Sequence, residues 1–195
     1  MKASKRARPV KRTAAPIDEG TWVRAAVDAL KAGGVAALSV EALARKLGVT
    51  KGSFYWHFDS REELLRAALE RWEQSIGRDL DRLTQIQEPL PRLTRMFQEA
   101  TEKIEDSLFM AVSGSSDHPV VKEFILRISD RQMGFTRKAL AELGFPEELA
   151  RMRSFLAYAL YVGILHMARN EPTVLPPLSE RLAHVEQAVS LVVRP

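Results

Sequence analysis

The sequence predicts an all-α protein. Sustained alternation of apolar and polar residues is nearly absent, whereas apolar residues recur at helical spacing from Asp18 to Val193. With 195 residues, of which 46% are hydrophobic, the chain is long enough for one or two compact domains with a proper core. It contains no cysteine, which excludes disulfides, thiolate zinc sites and cysteine nucleophiles. We therefore expect a helical fold held by apolar packing, in the reducing cytoplasm.

The positive charge lies towards the start of the chain. Residues 1–16 contain six basic and no acidic residues, without the apolar stretch of a signal peptide, which predicts a disordered basic tail. Residues 1–61 hold 12 basic and 5 acidic residues, and residues 62–195 hold 17 and 20. This distribution is typical of a phosphate-binding end on a neutral-to-acidic body, although a merely solvated tail is the alternative.

The first three helices are short. The first is predicted over 18–32, because Trp22, Ala25, Ala29 and Leu30 share one face and two glycines follow. The second runs from a Ser39 cap to Gly48, and the third from a Thr50 cap to about Phe58. The two are joined by a very tight turn.

A long fourth helix follows. The residues Ser60 to Glu63 form a capping box, in which the serine caps the amide of Glu63 and the glutamate reaches back. An apolar face from Leu64 to Leu83 then suits a connector between two domains. Prolines separate the five further helices that we predict, at 91–105, 107–114, 119–143, 146–170 and 179–193.

Residues 154–168 are free of charge and apolar nearly all round. They are too few to span a membrane, which takes about 20 apolar residues. A helix apolar on every face is buried on every face, so one side should cover the domain's own core and the other a partner subunit. The last helix adds a second apolar surface. The two C-terminal helices therefore predict a homodimer interface, with a purely internal core as the alternative.

The segment from residue 39 to 58 meets the requirements of a helix-turn-helix. Leu43, Leu47 and Phe54 supply apolar residues to join two crossed helices, Ala44 permits close approach, and Gly48 tolerates a positive φ in the turn. If Phe54 and Phe58 point inwards, Tyr55, Trp56 and His57 leave at least one large ring exposed. Such a face suits DNA, because rings, a tyrosine hydroxyl and Lys51 can contact phosphates and base edges.

The letters GVTKGSFYWHF at 48–58, followed by SREELL at 60–65, resemble the DNA-binding domain of the tetracycline-repressor (TetR) family of transcriptional regulators. Matching residues extend from about Asp18 to Trp72. The resemblance implies a homodimeric repressor that binds a double-stranded DNA operator and is released by a small apolar or amphipathic effector. It implies a helix-turn-helix domain over 17–62, with the signature reaching about 77, and an effector-binding and dimerisation domain over 63–195.

The resemblance also assigns roles to residues around the turn. The groove-facing positions are Lys51, Gly52, Ser53, Trp56 and His57, and the positions that hold the phosphate backbone are Ser39, Thr50, Tyr55 and Arg61. Glu41 departs from the family pattern, which often has a basic or neutral residue there. It is expected to stabilise the start of the second helix through the helix dipole instead.

Effector contacts are predicted from chemistry alone. The candidates are large apolar or amphipathic side chains on the helices that would enclose a cavity, and a histidine as a polar anchor: Phe97, Met110, Phe124, Met133, Phe135, Tyr158, Tyr161 and His166. Each is also compatible with a plain core position, so the effector stays unnamed.

Other classes of function are less well supported. Ser53, His57 and Asp59 cannot form a catalytic triad within one short helix, because they point in different directions. The four histidines have no metal-binding spacing, so neither a metal nor another cofactor is predicted. The remaining alternative is a dimeric module for small molecules or proteins in which the helix-turn-helix is only structural. Loss of DNA binding on substitution of Lys51 and Tyr55 would distinguish the two.

Overall fold

The computed structural model describes residues 17–104 and 107–194, and this part of the chain is helical throughout, with no strand. The predicted tail, residues 1–16, lies outside the described residues. The helices are α1 (Glu19–Gly33), α2 (Val40–Leu47), α3 (Lys51–Phe54), α4 (Arg61–Leu83), α5 (Pro89–Glu102), α6 (Leu108–Ser113), α7 (Pro119–Glu142), α8 (Glu147–Asn170) and α9 (Leu178–Val193), with 3-10 turns at Val35–Ala37 and Pro172–Val174. The all-α prediction is confirmed.

Polar side chains cap the helices that carry the DNA-binding signature. Asp18 accepts a hydrogen bond from the Thr21 amide at 2.7 Å, and Ser39 accepts one from the Ala42 amide at 3.3 Å. At the start of α4, Ser60 Oγ accepts from the Glu63 amide at 3.1 Å, while the Glu63 carboxylate accepts from the Asp59 amide at 2.6 Å. The predicted capping box is therefore present, although the glutamate reaches one residue further back than the cap.

The first hydrophobic core joins α1 to α4 with α6 and α7. Its centre is aromatic: the ring of Trp22 meets Phe54 edge-on at 5.4 Å, and Phe54 stacks on Phe58 at 5.5 Å. Leu108, Val112, Val120, Val121 and Phe124 belong to the same buried cluster. The core thus continues across the domain boundary predicted at residues 62 and 63.

A second, smaller core lies at the far end of the molecule. It contains Leu93, Ala139, Leu140 and Ala150, with residues from the end of α9 packed against it. The long helices α7 and α8 lie along each other, and the hydroxyls of Ser129 and Tyr158 are 2.6 Å apart across that contact. Helix α9 packs mainly on α5.

Helix α8 is buried on only one face within a single chain. Ala150, Ser154, Ala157 and Leu165 face the core. On the other side lie large apolar side chains that are at least half exposed, namely Met152, Phe155, Leu156 and Leu160. Among the described residues, no helix combines the length and the apolar character needed to cross a bilayer.

Candidate nucleic-acid interface and effector cavity

The turn between α2 and α3 depends on Gly48. This residue has φ 70° and ψ 24°, a left-handed conformation that costs other residues roughly 1–2 kcal/mol. Its amide donates to the carbonyls at the end of α2, and the Val49 amide donates to Ala44 O at 3.0 Å. The two helices are therefore held in a crossed arrangement by backbone hydrogen bonds and by the buried residues Leu43 and Phe54.

The recognition segment, residues 50–58, is less regular than predicted. Regular helix covers only Lys51–Phe54, not the whole stretch to Phe58. The amides of His57 and Phe58 both turn back to Phe54 O, at 2.9 and 3.0 Å. These hydrogen bonds bring Phe58 into the core, where its ring stacks on that of Phe54. The segment therefore packs as a turn and does not continue as a helix to Phe58.

The outer side of the recognition segment is exposed and aromatic. Trp56 is 87% exposed and Tyr55 is 55% exposed, although aromatic rings normally find a partner. Lys51 and Gly52 are also exposed, and Ser53 and His57 are half-buried. All five predicted groove-facing residues are thus at least partly accessible, and the glycine leaves the backbone approachable.

Lys51 already has a partner within the protein. Its ammonium group donates a hydrogen bond to the Glu41 carboxylate in the first turn of α2, and both side chains are at least half exposed. This hydrogen bond lowers the pKa of Glu41 and raises the pKa of Lys51. Glu41 also accepts from the Ser39 hydroxyl at 3.4 Å. The residue that departs from the family pattern is therefore bonded to a predicted DNA contact.

The predicted phosphate-holding residues fall into two groups. Ser39 caps α2 and Thr50 precedes α3, but the Thr50 side chain makes no capping hydrogen bond, contrary to the prediction. Thr50 and Tyr55 are exposed, and their hydroxyls are accessible to a ligand. Arg61 differs, because its Nε donates to Leu38 O at 2.6 Å and its Nη2 donates to Val35 O. Its guanidinium thus holds the loop between α1 and α2.

A cavity of about 190 Å³ lies between α5, α8 and α9, and we call it the α8–α9 cavity. Of the predicted effector contacts, Phe97 and Tyr161 line it, and Tyr158 lines a small neighbouring space together with both. Its further lining includes Ile104, Ala157, Leu160, Ile164, Met167, Arg181, His184, Val185 and Ala188. The prediction missed the contribution of α9, whose spacing of Val185, Ala188 and Val189 could have indicated a face turned towards α5 and α8.

The other predicted effector contacts are not brought to this cavity. Phe124 is fully buried in the first core, under the guanidinium of Arg127 at 4.2 Å from the ring centre. His166 is exposed and interacts with Asn170 one turn later. Met110, Met133 and Phe135 are half-buried elsewhere. Helical spacing predicts which face of a helix is buried, but it does not say which neighbouring helix that face meets.

A second cavity, of about 460 Å³, lies where α1 and α4 meet α5 and α6, and we call it the junction cavity. Tyr161 lines it as well as the α8–α9 cavity. On its wall, the buried Glu99 accepts hydrogen bonds from Arg82 of α4 at 2.6 and 2.8 Å and from Arg95 at 2.9 Å. These bonds, from Arg82 above all, lower the pKa of Glu99 to about 2. An ion pair between Lys103 and Asp79, at 2.9 Å, joins the same two helices.

Helix α4 is also joined to α7. Arg127 of α7 reaches the Glu73 carboxylate at 2.6 Å, and Arg66 of α4 reaches Glu123 at 3.1 Å. Farther along, Gly77 leaves room for the guanidinium of Arg131, because a Cβ there would lie 2.5 Å from its Nη1. The helix that follows the recognition segment is therefore tied to two helices of the C-terminal part.

A helix-turn-helix with an exposed recognition segment, set on a larger all-helical body, defines a DNA-binding transcriptional regulator. Residues 23–68 match the family described as bacterial regulatory proteins, tetR family. This part of the chain therefore resembles the DNA-binding domain of tetR-family transcriptional regulators.

Relatives that resemble the chain carry consistent names. The HTH-type transcriptional regulator SrpR of Pseudomonas putida is 24% identical over 135 residues, which cover 67% of this chain and 63% of SrpR. TtgW, an uncharacterized HTH-type transcriptional regulator of Pseudomonas putida, is 25% identical over 118 residues, which cover 59% of this chain and 88% of TtgW. The chain thus spans less than two thirds of SrpR. These relatives are named as transcriptional regulators and not as enzymes.

Solved structures share the fold over nearly the whole chain. NemR from E. coli superposes with a TM-score of 0.74 at 20% identity, covering 87% of this chain and 95% of NemR. SCO4454, a TetR-family regulator from Streptomyces coelicolor, gives a TM-score of 0.75 at 15% identity, covering 90% and 89%. FadR from Bacillus subtilis, solved in complex with stearoyl-CoA, gives a TM-score of 0.65 at 16% identity, covering 90% and 98%. At these identities the likeness concerns the fold.

Proposed function

We propose that the protein is a ligand-responsive repressor that binds a palindromic DNA operator as a homodimer and is released by a small apolar or amphipathic effector. The observation that carries the DNA-binding part is the 87% exposure of Trp56 beside a fully buried Phe54. The helix-turn-helix core is complete without Trp56, so this ring is left for a partner. Such a repressor would act in the cytoplasm, on bacterial DNA.

Two kinds of DNA contact are proposed. Lys51, Gly52, Ser53, Trp56 and His57 face the major groove, and Ser39, Thr50 and Tyr55 contact phosphates. The exposure of the recognition segment supports this division. Arg61 is proposed as a support, because its guanidinium bonds the loop carbonyls of Val35 and Leu38. It fixes the loop before α2 and, with it, the orientation of the recognition segment.

A homodimer supplies two recognition segments. Successive major grooves on one face of DNA lie about 34 to 36 Å apart, so the subunits must hold their recognition segments at that spacing. The exposed apolar face of α8 supports an interface there, because a monomer in water gains nothing by leaving Phe155 and Leu156 more than half exposed. The proposed contact is isologous, with α8 and α9 of each subunit facing the same helices of the other.

We propose that effector binding releases the DNA through a movement of α4. An effector in the α8–α9 cavity would press on Tyr161, which also lines the junction cavity beside Glu99. Any shift of α5 there is passed to α4 through the Arg82–Glu99 hydrogen bonds, and α4 carries the recognition segment at its other end. The effector needs only a differential affinity for the two arrangements, typically about 1 to 3 kcal/mol. FadR, which shares this fold, was solved with stearoyl-CoA, and this supports the proposal that the ligand is amphipathic or apolar.

Selection of bound DNA from a random pool tests the DNA-binding part. The proposal predicts enrichment of a palindrome whose half-sites lie about one helical turn apart. The selected DNA is then titrated with wild type and with the Lys51→Ala and Tyr55→Ala double variant, whose substitutions lie outside the core. An unchanged binding isotherm for the double variant, or a failure to enrich any sequence, would show that the helix-turn-helix serves only as structure.

A further inference from the structure

Residues 1–16, which we call the basic tail, are the most strongly basic segment of the chain. They contain no acidic residue and six cations, namely Lys2, Lys5, Arg6, Arg8, Lys11 and Arg12. Apart from alanines and prolines, their apolar side chains are Met1 and Val10. The basic tail therefore offers a partner much positive charge and little apolar surface to bury.

The basic tail joins the described part of the chain beside the recognition segment. Ile17 packs against the first core. Within the first turns of α1, the ring of Trp22 meets Phe54 of the recognition segment edge-on, with 5.4 Å between the ring centres. The point from which the basic tail leaves is therefore close to the surface proposed to contact DNA.

The cap of α1 fixes that point. Asp18 accepts hydrogen bonds from the amide of Thr21 at 2.7 Å and from its hydroxyl at 2.5 Å, and Arg24 donates to the same hydroxyl at 2.7 Å. The hydrogen bonds from Thr21 above all, and then the charges of Arg24 and His57, hold the pKa of Asp18 below its ordinary value. The influence of His57, a residue of the recognition segment, agrees with the close placement of the two segments.

The length of the basic tail suits the groove geometry of DNA. Successive major grooves lie roughly 34 to 36 Å apart on one face of the duplex, so the minor groove beside a half-site lies about 17 Å from its major groove. An extended chain covers at most about 3.3 to 3.6 Å per residue, so the five residues from Ile17 back to Arg12 span up to about 17 Å. Arg12 can therefore reach the adjacent minor groove, and Arg6 and Arg8 can follow it.

We propose that the basic tail binds the minor groove of the DNA that flanks each half-site, with Arg6, Arg8 and Arg12 in the groove. The proposal rests on the operator binding proposed above and extends it beyond the recognition segment. DNA is favoured as the partner because cations with little apolar surface bind a polyanion chiefly by releasing its counterions. Arginine favours the narrow, strongly negative minor groove of A·T-rich DNA. The basic tail thus reads the shape of DNA outside the half-sites.

Deletion of residues 2–15 tests the basic tail as a whole. The deletion leaves Ile17 and Asp18 in place, so α1 keeps its cap and the variant should unfold at the temperature of wild type. The DNA is a duplex that wild type selects from a random pool, with about one helical turn of flanking sequence on each side. At about 0.15 M salt, fluorescence anisotropy should show at least about tenfold weaker binding by the deletion variant.

Two results of the deletion would overturn the inference. Equal affinity of wild type and the deletion variant would show that the basic tail does not contact the DNA. Tighter binding by the deletion variant would show that the basic tail is held by the exposed carboxylates of its own domain, such as Glu19 and Glu62. Either result leaves the proposed function intact, whereas a wild type that selects no sequence would overturn the proposed function itself.

Two triple variants of the full chain separate charge from arginine chemistry. The glutamine variant removes three cations from each subunit, so the slope of log K against log salt should become shallower by about 5 for a dimer. The lysine variant keeps the charge and should keep the slope. The substitutions are Arg6→Gln, Arg8→Gln and Arg12→Gln in the first, and Arg6→Lys, Arg8→Lys and Arg12→Lys in the second.

A matched control removes three exposed cations from α7 and α8, namely with Lys122→Gln, Lys138→Gln and Arg169→Gln. It changes the net charge by the same amount as the glutamine variant and should bind the selected DNA as wild type does. A control that loses as much affinity as the glutamine variant would reduce the effect to net charge and overturn the inference.

The minor groove is tested by the flanking sequence. Wild type should bind the selected half-sites more tightly between A·T flanks than between G·C flanks, and the deletion should abolish this preference. The lysine variant should lose most of it, because an ammonium group is more strongly hydrated than a guanidinium. Netropsin, which occupies A·T minor grooves, should weaken binding by wild type more than binding by the deletion variant. Lost affinity without any effect of flanks or netropsin would place the basic tail on phosphates and overturn the minor-groove assignment.

Discussion

Glu41 accepts a hydrogen bond from Lys51, so the lysine of the recognition segment is paired with a carboxylate of α2 before any DNA arrives. The pair draws the start of α3 towards the start of α2 and lowers the local positive charge. DNA must compete with Glu41 for this ammonium group. The carboxylate is therefore expected to weaken DNA binding, whether the ammonium group meets a base edge in the groove or a phosphate beside it.

Glu41→Gln should tighten binding to DNA and make it more sensitive to salt. With the carboxylate removed, the charge of Lys51 is no longer neutralised by Glu41 and can displace one more counterion from the DNA, so the slope of log K against log salt should become steeper by about 0.9. Fluorescence anisotropy of labelled operator over a salt series measures this. Glu148→Gln is the matched control, because Glu148 forms an exposed pair with Arg151 on α8. An identical slope for wild type and Glu41→Gln would contradict the competition.

Trp56→Ala should reduce operator affinity without destabilising the protein. The ring is 87% exposed, so its loss should change the free energy of unfolding by less than about 0.5 kcal/mol, while DNA binding should weaken by about 1 to 3 kcal/mol. Urea unfolding and operator titration on the same preparation separate the two. Phe54→Ala is the contrasting variant, because it empties a fully buried position and should cost about 3 to 5 kcal/mol of stability. Undiminished affinity in Trp56→Ala would remove the ring from the DNA contact.

Arg61→Met should act on stability and not on the phosphate contacts. It removes the two hydrogen bonds to Leu38 O and Val35 O, which should lower the free energy of unfolding by about 1 to 3 kcal/mol. The slope of DNA affinity against salt should stay as in wild type, because no phosphate contact is lost. A slope that falls by about 0.9 with unchanged stability would instead make Arg61 a phosphate contact.

Glu99 should make the junction between α4 and α5 sensitive to acid. Its pKa in the folded protein is about 2, below the ordinary 4.5, so folding favours the charged form. The stability that it contributes is fully present above pH 4.5 and is lost as the pH falls towards 2. Glu99→Gln should therefore be less stable than wild type at pH 7, by about 1 to 3 kcal/mol, and this difference should shrink by pH 3.

Urea unfolding at the two pH values measures the Glu99 effect. Glu102→Gln, on the same helix but exposed, is the control and should follow wild type at both. A difference between wild type and Glu99→Gln that does not change with pH would show that the hydrogen bonds to Arg82 do not depend on the charge of the carboxylate.

Two glycines with open surroundings should respond oppositely to alanine. A Cβ would meet nothing within 4 Å at either Gly134 or Gly48, so sterics with neighbours do not distinguish them. Gly134 lies inside α7, where alanine should stabilise the helix by up to about 1 kcal/mol. Gly48 has φ 70°, where alanine should cost about 1 to 2 kcal/mol. The change in melting temperature of each variant gives the sign of its effect on stability. A change in the same direction for both would contradict the role of Gly48 in the turn.

Most helix boundaries could be predicted because the groups that set them are local, whereas the helix predicted at 91–105 covers Pro89–Glu102. Asp18, Ser39 and Ser60 each cap a helix amide three residues away, and Pro119 begins α7. The end of α3 was not predictable in this way. Its helix stops at Phe54 because Phe58 turns into a core made by other helices, and that packing has no local signal.

The side-chain partners of the site were harder to predict for the same reason. Arg61 bonds carbonyls 23 and 26 residues earlier, and Glu99 bonds an arginine 17 residues earlier on another helix. The exposure of Trp56 followed from the crowding of three rings in one segment, whereas the composition of the cavities depended on how α5, α8 and α9 meet. Phe97 and Tyr161 were predicted as effector contacts because their side chains are large and apolar or amphipathic, and both line the α8–α9 cavity. Phe124 was predicted by the same rule, but it lies in the core.

The first core, which runs from Trp22 to Phe124, limits how this protein can be recombined with its relatives. A Cβ at Gly34 would lie 2.7 Å from the carbonyl oxygen of Ala111, so the end of α1 touches α6 at backbone distance. An exchange of the first 62 residues between two regulators cuts through this contact and leaves Leu108 and Val112 against a foreign surface. A chimera built from this chain should therefore take α6 and the first turns of α7 from the same parent protein as the DNA-binding helices.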